Sequence, residues 1–255
     1  MKWGVVTFPG SNDDRDTVHV LQGVLGQETV ALWHKSADLR GVDCVVLPGG
    51  FSYGDYLRCG AIARFSPIMG AIAEHAESGG LVLGICNGFQ VLCEAGLLPG
   101  ALVRNRGLRF VCRDVTLRVE NISNPFMNLA FGGDVWRIPV KHGEGCYVAD
   151  DATLDRMERE GRILLRYCRP DGTRERDADA DRSAYNPNGS VRDVAGVMNE
   201  GRNVFGLMPH PEHAADPAVL AVEGARRSAD GMRIFQSIAH WVSAARERAR
   251  AGSMR

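Results

Sequence analysis

The chain has 255 residues, 45% of them hydrophobic, and a formal net charge of −1. This length and apolar content can bury one sizeable core, so one domain is the default expectation. The balanced charge predicts no attraction to nucleic acid or to an acidic membrane surface. No apolar run reaches the roughly 18 residues of a membrane span, and the short apolar start is not expected to be a signal peptide.

Cysteine usage predicts a reducing, cytoplasmic environment. The count is odd and no C-x-x-C pair occurs, so neither a disulfide framework nor a zinc cluster is expected, and no metal site is predicted. The seven positions are Cys44, Cys59, Cys86, Cys93, Cys112, Cys146 and Cys168.

The first part of the chain alternates apolar runs with segments of helical spacing. Strands are predicted at 2–8, 28–34, 42–47 and 81–85. Helices are predicted from a cap at Asp13 or Asp14 through Leu25, over about 61–78, and over 87–95. Nearly all-apolar strands that alternate with helices are typical of a parallel sheet covered on both faces.

The pattern changes after Gly100, where strands follow one another with little helix between them. They are predicted at 110–119, 134–140 and 163–168, with a late hairpin of 194–198 and 204–208, and they add antiparallel pairing at one sheet edge. A closing helix is predicted over 230–251, followed by a helical tail. The polar stretch 169–182 is predicted to be an exposed loop or insertion. The predicted fold class is therefore α/β, a doubly wound, flavodoxin-like, mostly parallel sheet with added antiparallel strands.

The stretch G-I-C-N-G at 84–88 has the layout of a nucleophile elbow, a sharp turn between strand and helix. Gly84 and Gly88 relieve crowding there, and the helix N-terminus favours the thiolate form of Cys86. Free amides at the same turn can hold an oxyanion. A buried structural cysteine is the competing interpretation, which fits Cys44 and Cys93 better.

A candidate base lies in M-P-H-P-E at 208–212, after an apolar strand. The flanking prolines favour an extended backbone, in which His210 and Glu212 point to the same side. The carboxylate then orients the imidazole, which takes the thiol proton. His213 is expected to face the other way, as a rim residue.

Further glycine-rich stretches are candidates for the rest of a site. The loop P-G-G-F-S-Y-G-D at 48–55 follows the third strand at the edge where doubly wound sheets bind ligands, and its glycines allow a backbone amide to turn inward. K-H-G-E-G at 141–145 and N-P-N-G-S at 186–190 either line a pocket or form surface turns. No phosphate loop or dinucleotide fingerprint is present.

Together these motifs resemble the class I (triad) glutamine amidotransferases, and more closely the glutaminase-subunit family of phosphoribosylformylglycinamidine synthases. Six stretches carry the resemblance in family order: F-P-G-S-N-D-D-R-D, L-P-G-G-F-S-Y-G-D-Y-L-R-C-G-A-I-A-R-F, G-I-C-N-G-F-Q-V-L, K-H-G-E-G, N-P-N-G-S and M-P-H-P-E. It covers about 3–242 of a single domain that spans 1–255. The 169–182 stretch and the C-terminal tail are longer than the family pattern.

The resemblance implies hydrolysis of L-glutamine by a triad of Cys86, His210 and Glu212 through a γ-glutamyl thioester. It implies oxyanion contacts from the backbone of Gly50, Phe51 and Asn87. It also implies substrate contacts from Phe51, Ser52, Gly54, Asp55, Gln90 and His142. The ammonia would pass to an ATP- and Mg-dependent synthetase subunit (PurL), aided by a small subunit (PurS), in purine biosynthesis, and this chain itself would need no cofactor.

Two other interpretations remain. A cysteine hydrolase of the DJ-1/PfpI kind also places an elbow cysteine on a flavodoxin-like sheet, although the distant P-H-P-E stretch disfavours it. A non-catalytic binding subunit is disfavoured by the complete triad.

Overall fold

The computed structural model describes residues 1–175, 181–221 and 229–253. The strands are β1 (Lys2–Thr7), β2 (Glu28–Trp33), β3 (Cys44–Leu47), β4 (Leu81–Ile85), β5 (Ala101–Val103), β6 (Val111–Val119), β7 (Val135–His142), β8 (Cys146–Val148), β9 (Ile163–Cys168), β10 (Val194–Met198) and β11 (Val204–Leu207). The α-helices are α1 (Asp14–Val18), α2 (Pro67–Glu77), α3 (Asn87–Glu94), α4 (Asp151–Arg159), α5 (Pro217–Ala221) and α6 (Met232–Ser253).

A nine-stranded sheet runs in the order β2-β1-β3-β4-β11-β10-β9-β6-β7. The strands β2, β1, β3, β4 and β11 pair in parallel and form the parallel half. The strands β10, β9, β6 and β7 pair in antiparallel fashion and form the antiparallel half. The predicted α/β fold class, with antiparallel strands added at one edge, is confirmed.

The apolar strands explain where the core lies. All residues of β3, β4 and β11 are buried, as expected for parallel strands covered on both faces. The register pairs Leu47 with Gly84 and Leu207 with Ile85, so the carboxyl ends of the three strands lie side by side. Helix α6 packs against the sheet at β1, where Trp3 of β1 and Phe235 of α6 are in edge contact with 6.3 Å between ring centroids.

One predicted helix start is wrong, and at another the start is confirmed but the expected side-chain cap hydrogen bond is absent. The helix expected from about residue 61 begins only at Pro67, because Ser66 before the proline is held in an extended conformation (φ −64°, ψ 140°). Helix α1 was expected to be capped by Asp13 or Asp14. Asp13 occupies the cap position but makes no side-chain cap hydrogen bond, and Asp14 accepts a hydrogen bond from Thr7 Oγ1 at 3.0 Å.

Several elements were not predicted. The strands β5 and β8 form a separate two-stranded sheet, and α4 is a polar helix capped by Asp150, which accepts a hydrogen bond from the Thr153 amide. Of the 169–182 stretch, 176–180 lie outside the described residues. The rest is loop but is not uniformly exposed, since Arg174 pairs with the buried Asp193 at 3.3 Å. Among the helices described, none is both long and apolar enough to cross a membrane.

Candidate active site

Three loops meet where the central parallel strands end. The glycine-rich loop 48–55 follows β3, the elbow at Cys86 follows β4, and the His210 loop follows β11. The three stretches that the sequence pattern places at one edge of the sheet therefore lie together there. The antiparallel half closes over the same point, because the backbone N–H of His210 donates to the carbonyl of Pro139 on β7 at 2.8 Å.

Cys86 lies at a strained elbow. Its backbone has φ 49° and ψ −102°, a conformation that non-glycine residues rarely adopt. The neighbouring glycines are required by space: a Cβ on Gly84 would lie 2.8 Å from the backbone of Gly88, and one on Gly88 would overlap the Leu47 carbonyl. The thiol is 5% exposed, and its Sγ donates a weak hydrogen bond to the Lys141 carbonyl at 3.7 Å.

His210 and Glu212 form a buried hydrogen-bonded pair. The Nδ1 atom of His210 lies 2.6 Å from Oε1 of Glu212, and both side chains are almost fully buried. The predicted contact is present, but the extended backbone expected to produce it is not. Residues Pro211–Ala214 form a 3₁₀ turn, which brings His213 toward the same carboxylate, with its Nε2 3.5 Å from Glu212 Oε1. The expectation that His213 faces away is therefore wrong.

The charge state of His210 follows from its neighbours. Burial acts to lower its pKa, yet the charges of Glu212 and Cys86, the hydrogen bond with Glu212 and the close approach of Cys86 outweigh burial and raise it to about 10. Its Nε2 is buried and makes no hydrogen bond of normal geometry to the described residues, which leaves it available to a reacting group. The protonated ring therefore faces the Cys86 side chain, and its charge stabilises an anion beside it.

A second carboxylate, Asp13, lies against the same imidazole. Its Oδ2 is 3.6 Å from Nδ1 of His210, while its Oδ1 lies 3.1 Å from Nε2 of His213 and contacts Nζ of Lys141. Burial acts to raise the Asp13 pKa, but hydrogen bonding with His213 and the charges of His210 and Lys141 hold it well below its usual range. Sequence reasoning missed this role, because an acidic residue at a helix start is explained equally well as a cap.

Asp13, His210, Glu212 and His213 could also be considered as metal ligands, since one ligand atom from each lies within 4.8 Å of the others. The Nδ1 of His210 is already hydrogen-bonded to Glu212. The Lys141 ammonium occupies one Asp13 oxygen. A lysine charge in contact with one of the four candidate ligands opposes a cation there, so the arrangement fits proton chemistry better than metal binding.

The predicted oxyanion donors differ in availability. The Phe51 amide donates to the Gly10 carbonyl at 2.9 Å and is engaged. Gly50 faces Ser11 in an isolated antiparallel bridge, in which the hydrogen bonds run between their chain neighbours. The Gly50 N–H therefore points away from Ser11 and is the freer of the two amides. Asn87 opens helix α3, where backbone N–H groups have no partner within the helix.

The predicted substrate contacts fall into two groups. Asn87, Gln90 and Ser52 are buried and bonded to one another: the Asn87 side-chain amide donates to Gln90 Oε1 at 2.9 Å, and Asn87 Oδ1 accepts from the Ser52 amide at 3.2 Å. Gln90 also donates to the Glu144 carbonyl at 2.6 Å. These three residues therefore form a buried hydrogen-bonded group. Gly54, with φ 68°, belongs to the left-handed turn 53–55 next to Ser52.

The other group faces an open cavity of about 270 Å³, which the triad residues do not line. Phe51 and Asp55 line it, together with Glu144 and Cys59. Burial raises the pKa of Asp55. A hydrogen bond with Cys59 acts to lower this pKa, and the charge of Glu144 acts to raise it. Two arginines not predicted for the site, Arg104 and Arg109, complete the polar lining.

His142 belongs to a buried polar layer and does not line the cavity. Its Nδ1 lies 3.1 Å from Asn105 Oδ1 and its Nε2 lies 3.5 Å from the side-chain nitrogen of Asn188. Burial and the His210 charge lower its pKa to about 4, so it is neutral at pH 7. The N-P-N-G-S stretch thus ties His142 in place, and its outer side borders a separate cavity of about 820 Å³.

Comparison with known proteins places these features in context. Residues 1–242 match the model of the CobB/CobQ-like glutamine amidotransferase domain. The phosphoribosylformylglycinamidine synthase subunit PurQ of Gloeobacter violaceus is 55% identical over 93% of this chain and 97% of the relative. That of Rubrobacter xylanophilus is 57% identical over 88% and 94%. A chain in the structure of PurLQS from Thermotoga maritima superposes with a TM-score of 0.78 at 42% identity, over 94% of this chain and 98% of that one.

Proposed function

This chain belongs to the CobB/CobQ-like glutamine amidotransferase family, and on that premise we propose that it is the glutaminase subunit of a phosphoribosylformylglycinamidine synthase. It hydrolyses the side-chain amide of L-glutamine to glutamate and ammonia. The observation that carries the proposal is the buried His210–Glu212 pair, bonded at 2.6 Å, beside a cysteine on a strained elbow. Relatives above 50% identity that carry this subunit name support it.

The reaction follows from the charge states. The Cys86 thiolate attacks the amide carbon, and the negative charge that develops on oxygen is held by the backbone amides of Gly50 and Asn87. The His210 imidazolium gives its Nε2 proton to the leaving nitrogen, so that ammonia departs and a γ-glutamyl thioester remains. Water then attacks the thioester while His210 takes its proton, and glutamate and the Cys86 thiolate are released. Glu212 keeps the ring oriented throughout.

The cavity lined by Phe51 and Asp55 suits the α-amino and α-carboxylate end of glutamine. Its acidic pair, Asp55 and Glu144, can hold the α-ammonium group, and Arg104 and Arg109 can hold the α-carboxylate. Phe51 contributes an apolar side to the same cavity. The other predicted contacts act indirectly. Gln90 bonds the Glu144 carbonyl, Ser52 bonds Asn87 and His142 bonds Asn188. Gly54 contributes through its turn.

The ammonia acceptor would be a separate ATP-dependent synthetase subunit, assisted by a small subunit, as in the PurLQS assembly. Exposed large apolar side chains offer that partner a surface: Leu108 and Phe110 line the cavity, and Tyr56 and Leu57 follow Asp55 in the chain. ATP and Mg²⁺ would act on the synthetase, since thiol-mediated amide hydrolysis needs neither. The seven unpaired cysteines favour a reducing cytoplasm, and one continuous core supports a single amidotransferase domain.

The proposal is tested by measuring ammonia release from glutamine with Cys86→Ala, in the complex with synthetase and small subunit. We expect a loss of about 10³-fold or more, because no other thiol touches His210. Cys93→Ala in the same helix is the matched control and should retain activity. Full activity in Cys86→Ala would overturn the proposal. Peptide cleavage without glutamine hydrolysis would instead indicate a DJ-1/PfpI-like hydrolase.

A further inference from the structure

The acidic residue at the start of helix α1 is used for something other than capping. Asp13 is 2% exposed, sits at the cap position and makes no side-chain cap hydrogen bond. A buried carboxylate is costly unless charged or hydrogen-bonding partners surround it. Its partners are all groups of the reactive site: His210, His213 and Lys141.

We infer that Asp13 is a positioning residue that acts through His210, as a second carboxylate that stabilises the imidazolium and anchors the chain segment touching the Cys86 thiol. The inference deepens the proposed glutaminase function and rests on it for its kinetic tests. It assigns Asp13 no contact with glutamine.

The two oxygens of Asp13 have different partners. Oδ1 is occupied by the Lys141 ammonium and by Nε2 of His213 at 3.1 Å. Oδ2 is buried without a hydrogen-bond donor among the described residues and lies 3.6 Å from Nδ1 of His210. That atom already bonds Glu212 at 2.6 Å. Asp13 therefore acts on the ring by charge, whereas Glu212 fixes its orientation.

The close approach of Asp13 and His210 depends on a glycine. A Cβ on Gly49 would lie 2.7 Å from Cε1 of His210 and would overlap Oδ2 of Asp13. The first glycine of the P-G-G-F loop therefore leaves the space in which carboxylate and imidazole meet. This is a second reason for a glycine in that loop, apart from the oxyanion amide.

Asp13 also connects to the nucleophile through Lys141. The ammonium of Lys141 pairs with Asp13, and the carbonyl of the same residue accepts the weak hydrogen bond from Cys86 Sγ at 3.7 Å. Without Asp13, the Lys141 side chain, which is 34% exposed, loses its anchor. Both ends of the Cys86–His210 pair are therefore tied to one carboxylate.

The charged and titratable groups that face His210 determine whether removing Asp13 raises or lowers the His210 pKa. They are Cys86, Glu212, Asp13, His213, His142 and, through Asp13, Lys141. Asp13 lies at the Nδ1 side of the ring, the side away from the atom that serves Cys86. A negative charge there favours the protonated ring. An opposite charge at such a distance shifts a pKa by about 1–3 units, so removing it makes His210 lose its proton at lower pH.

The test is Asp13→Asn, which keeps size and removes charge, assayed in the assembled complex. We expect kcat to fall by about tenfold with KM changed less than about twofold, because the loss concerns the reacting state. The high-pH limb of kcat, which reports the His210 proton, should move to lower pH by about one unit. Asp13→Glu should restore part of the shift, and Asp14→Asn, which changes the adjacent carboxylate bonded to Thr7, should leave the profile unchanged.

A second measurement does not depend on glutaminase activity. The pH at which the iodoacetamide reactivity of Cys86 changes as its imidazole partner loses a proton should move to lower pH by about one unit in the isolated Asp13→Asn chain, because the imidazolium is less stabilised. Unchanged pH profiles of kcat and of labelling, with only a lower melting temperature, would overturn the inference and leave Asp13 a structural residue. If the unmodified complex releases no ammonia, the proposed function fails, and the labelling comparison still decides the inference.

Discussion

Two buried histidines in this molecule are in opposite charge states. His210, in the reactive cluster with Cys86, Glu212 and Asp13, has its pKa raised to about 10, whereas that of His142 is lowered to about 4. Burial acts to lower both. The difference lies in the partners, because carboxylates and a thiol surround His210, and His142 is held by neutral side chains of Asn105 and Asn188.

The surroundings also differ in how fully their polar atoms are bonded. In the reactive cluster, Nε2 of His210, Oε2 of Glu212 and Oδ2 of Asp13 are buried and lack a hydrogen bond among the described residues. In the polar network around His142, the Asn188 side chain bonds Tyr167, Ser190 and His142. A buried polar atom without a hydrogen bond is costly and needs an explanation, which a role in the reaction supplies for these three atoms. The comparison predicts that substitutions in the reactive cluster mainly lower the rate of ammonia release, whereas substitutions in the polar network around His142 mainly lower the stability of the fold.

The largest expected effect is that of Glu212→Gln on the rate. Without the carboxylate the imidazole loses its orienting partner and the imidazolium its main stabilising charge, so ammonia release should fall by about 10²–10⁴-fold. Glutaminase kinetics of the complex measure it, with thermal unfolding alongside. Asp216→Asn, which removes the carboxylate paired with the exposed His19, is the control. A loss of activity of less than tenfold would show that Asp13 alone can support the base.

The second prediction concerns stability against pH. Because the folded-state pKa of His142 lies near 4 and the unfolded value is near 6.5, the unfolded chain binds the proton more readily between these values. Stability should therefore fall as pH drops from about 6.5 to about 4, by about 3 kcal/mol in total from this residue. Urea unfolding across this range measures it, and His142→Asn should flatten the slope. A slope unchanged by that substitution would place the titrating group elsewhere.

His210 acts in the opposite direction and in another pH window. Its raised pKa contributes stability that is fully present below about 6.5 and is lost as pH rises toward 10. The two histidines can therefore be distinguished in one unfolding series. His142→Asn should alter the acidic limb and His210→Asn the alkaline limb.

The smallest expected effect is that of Asn188→Ala. Truncation removes the bonds of Asn188 to the Tyr167 hydroxyl and to Nε2 of His142, so the free energy of unfolding should fall by about 1–3 kcal/mol. The change in kcat should stay below about tenfold, because no atom of Asn188 contacts the triad. Chemical denaturation and ammonia release measure the two quantities. Asn121→Ala, which removes hydrogen bonds to the Gly161 carbonyl and the Ser123 amide, is the control for the rate and should leave kcat unchanged. A rate loss larger than the stability loss would mean that the polar network takes part in catalysis.

The sequence predicted the reactive cluster better than its surroundings, and for a physical reason. Cys86 and the His210–Glu212 pair lie in short stretches whose glycines and prolines restrict the backbone, so local pattern is informative. Asp13 lacked such a signal, since its contacts span more than a hundred residues of sequence. The contact of Cys86 with Lys141 runs through a backbone carbonyl, which any residue type supplies.

For the fold, apolar runs located the central strands, while elements with few buried residues were missed. Helix α4 buries only Leu154 and Met157, so its periodicity is weak, although Asp150 three residues before Thr153 was a usable cap signal. The three-residue strands β5 and β8 are too short to produce a pattern. The helix start at Pro67 was predictable from the proline rule.

The carbonyl of Lys141 that touches Cys86 has a consequence for biosynthesis of the chain. The contact joins positions 55 residues apart, and the Asp13–Lys141 and Asp13–His213 contacts join positions 128 and 200 apart. A nascent chain emerges from the ribosome with its elbow cysteine long before β7 and the His210 loop exist. The thiol therefore meets its imidazole partner only after the last strands are in place, so the Cys86–His210 pair requires the completed fold.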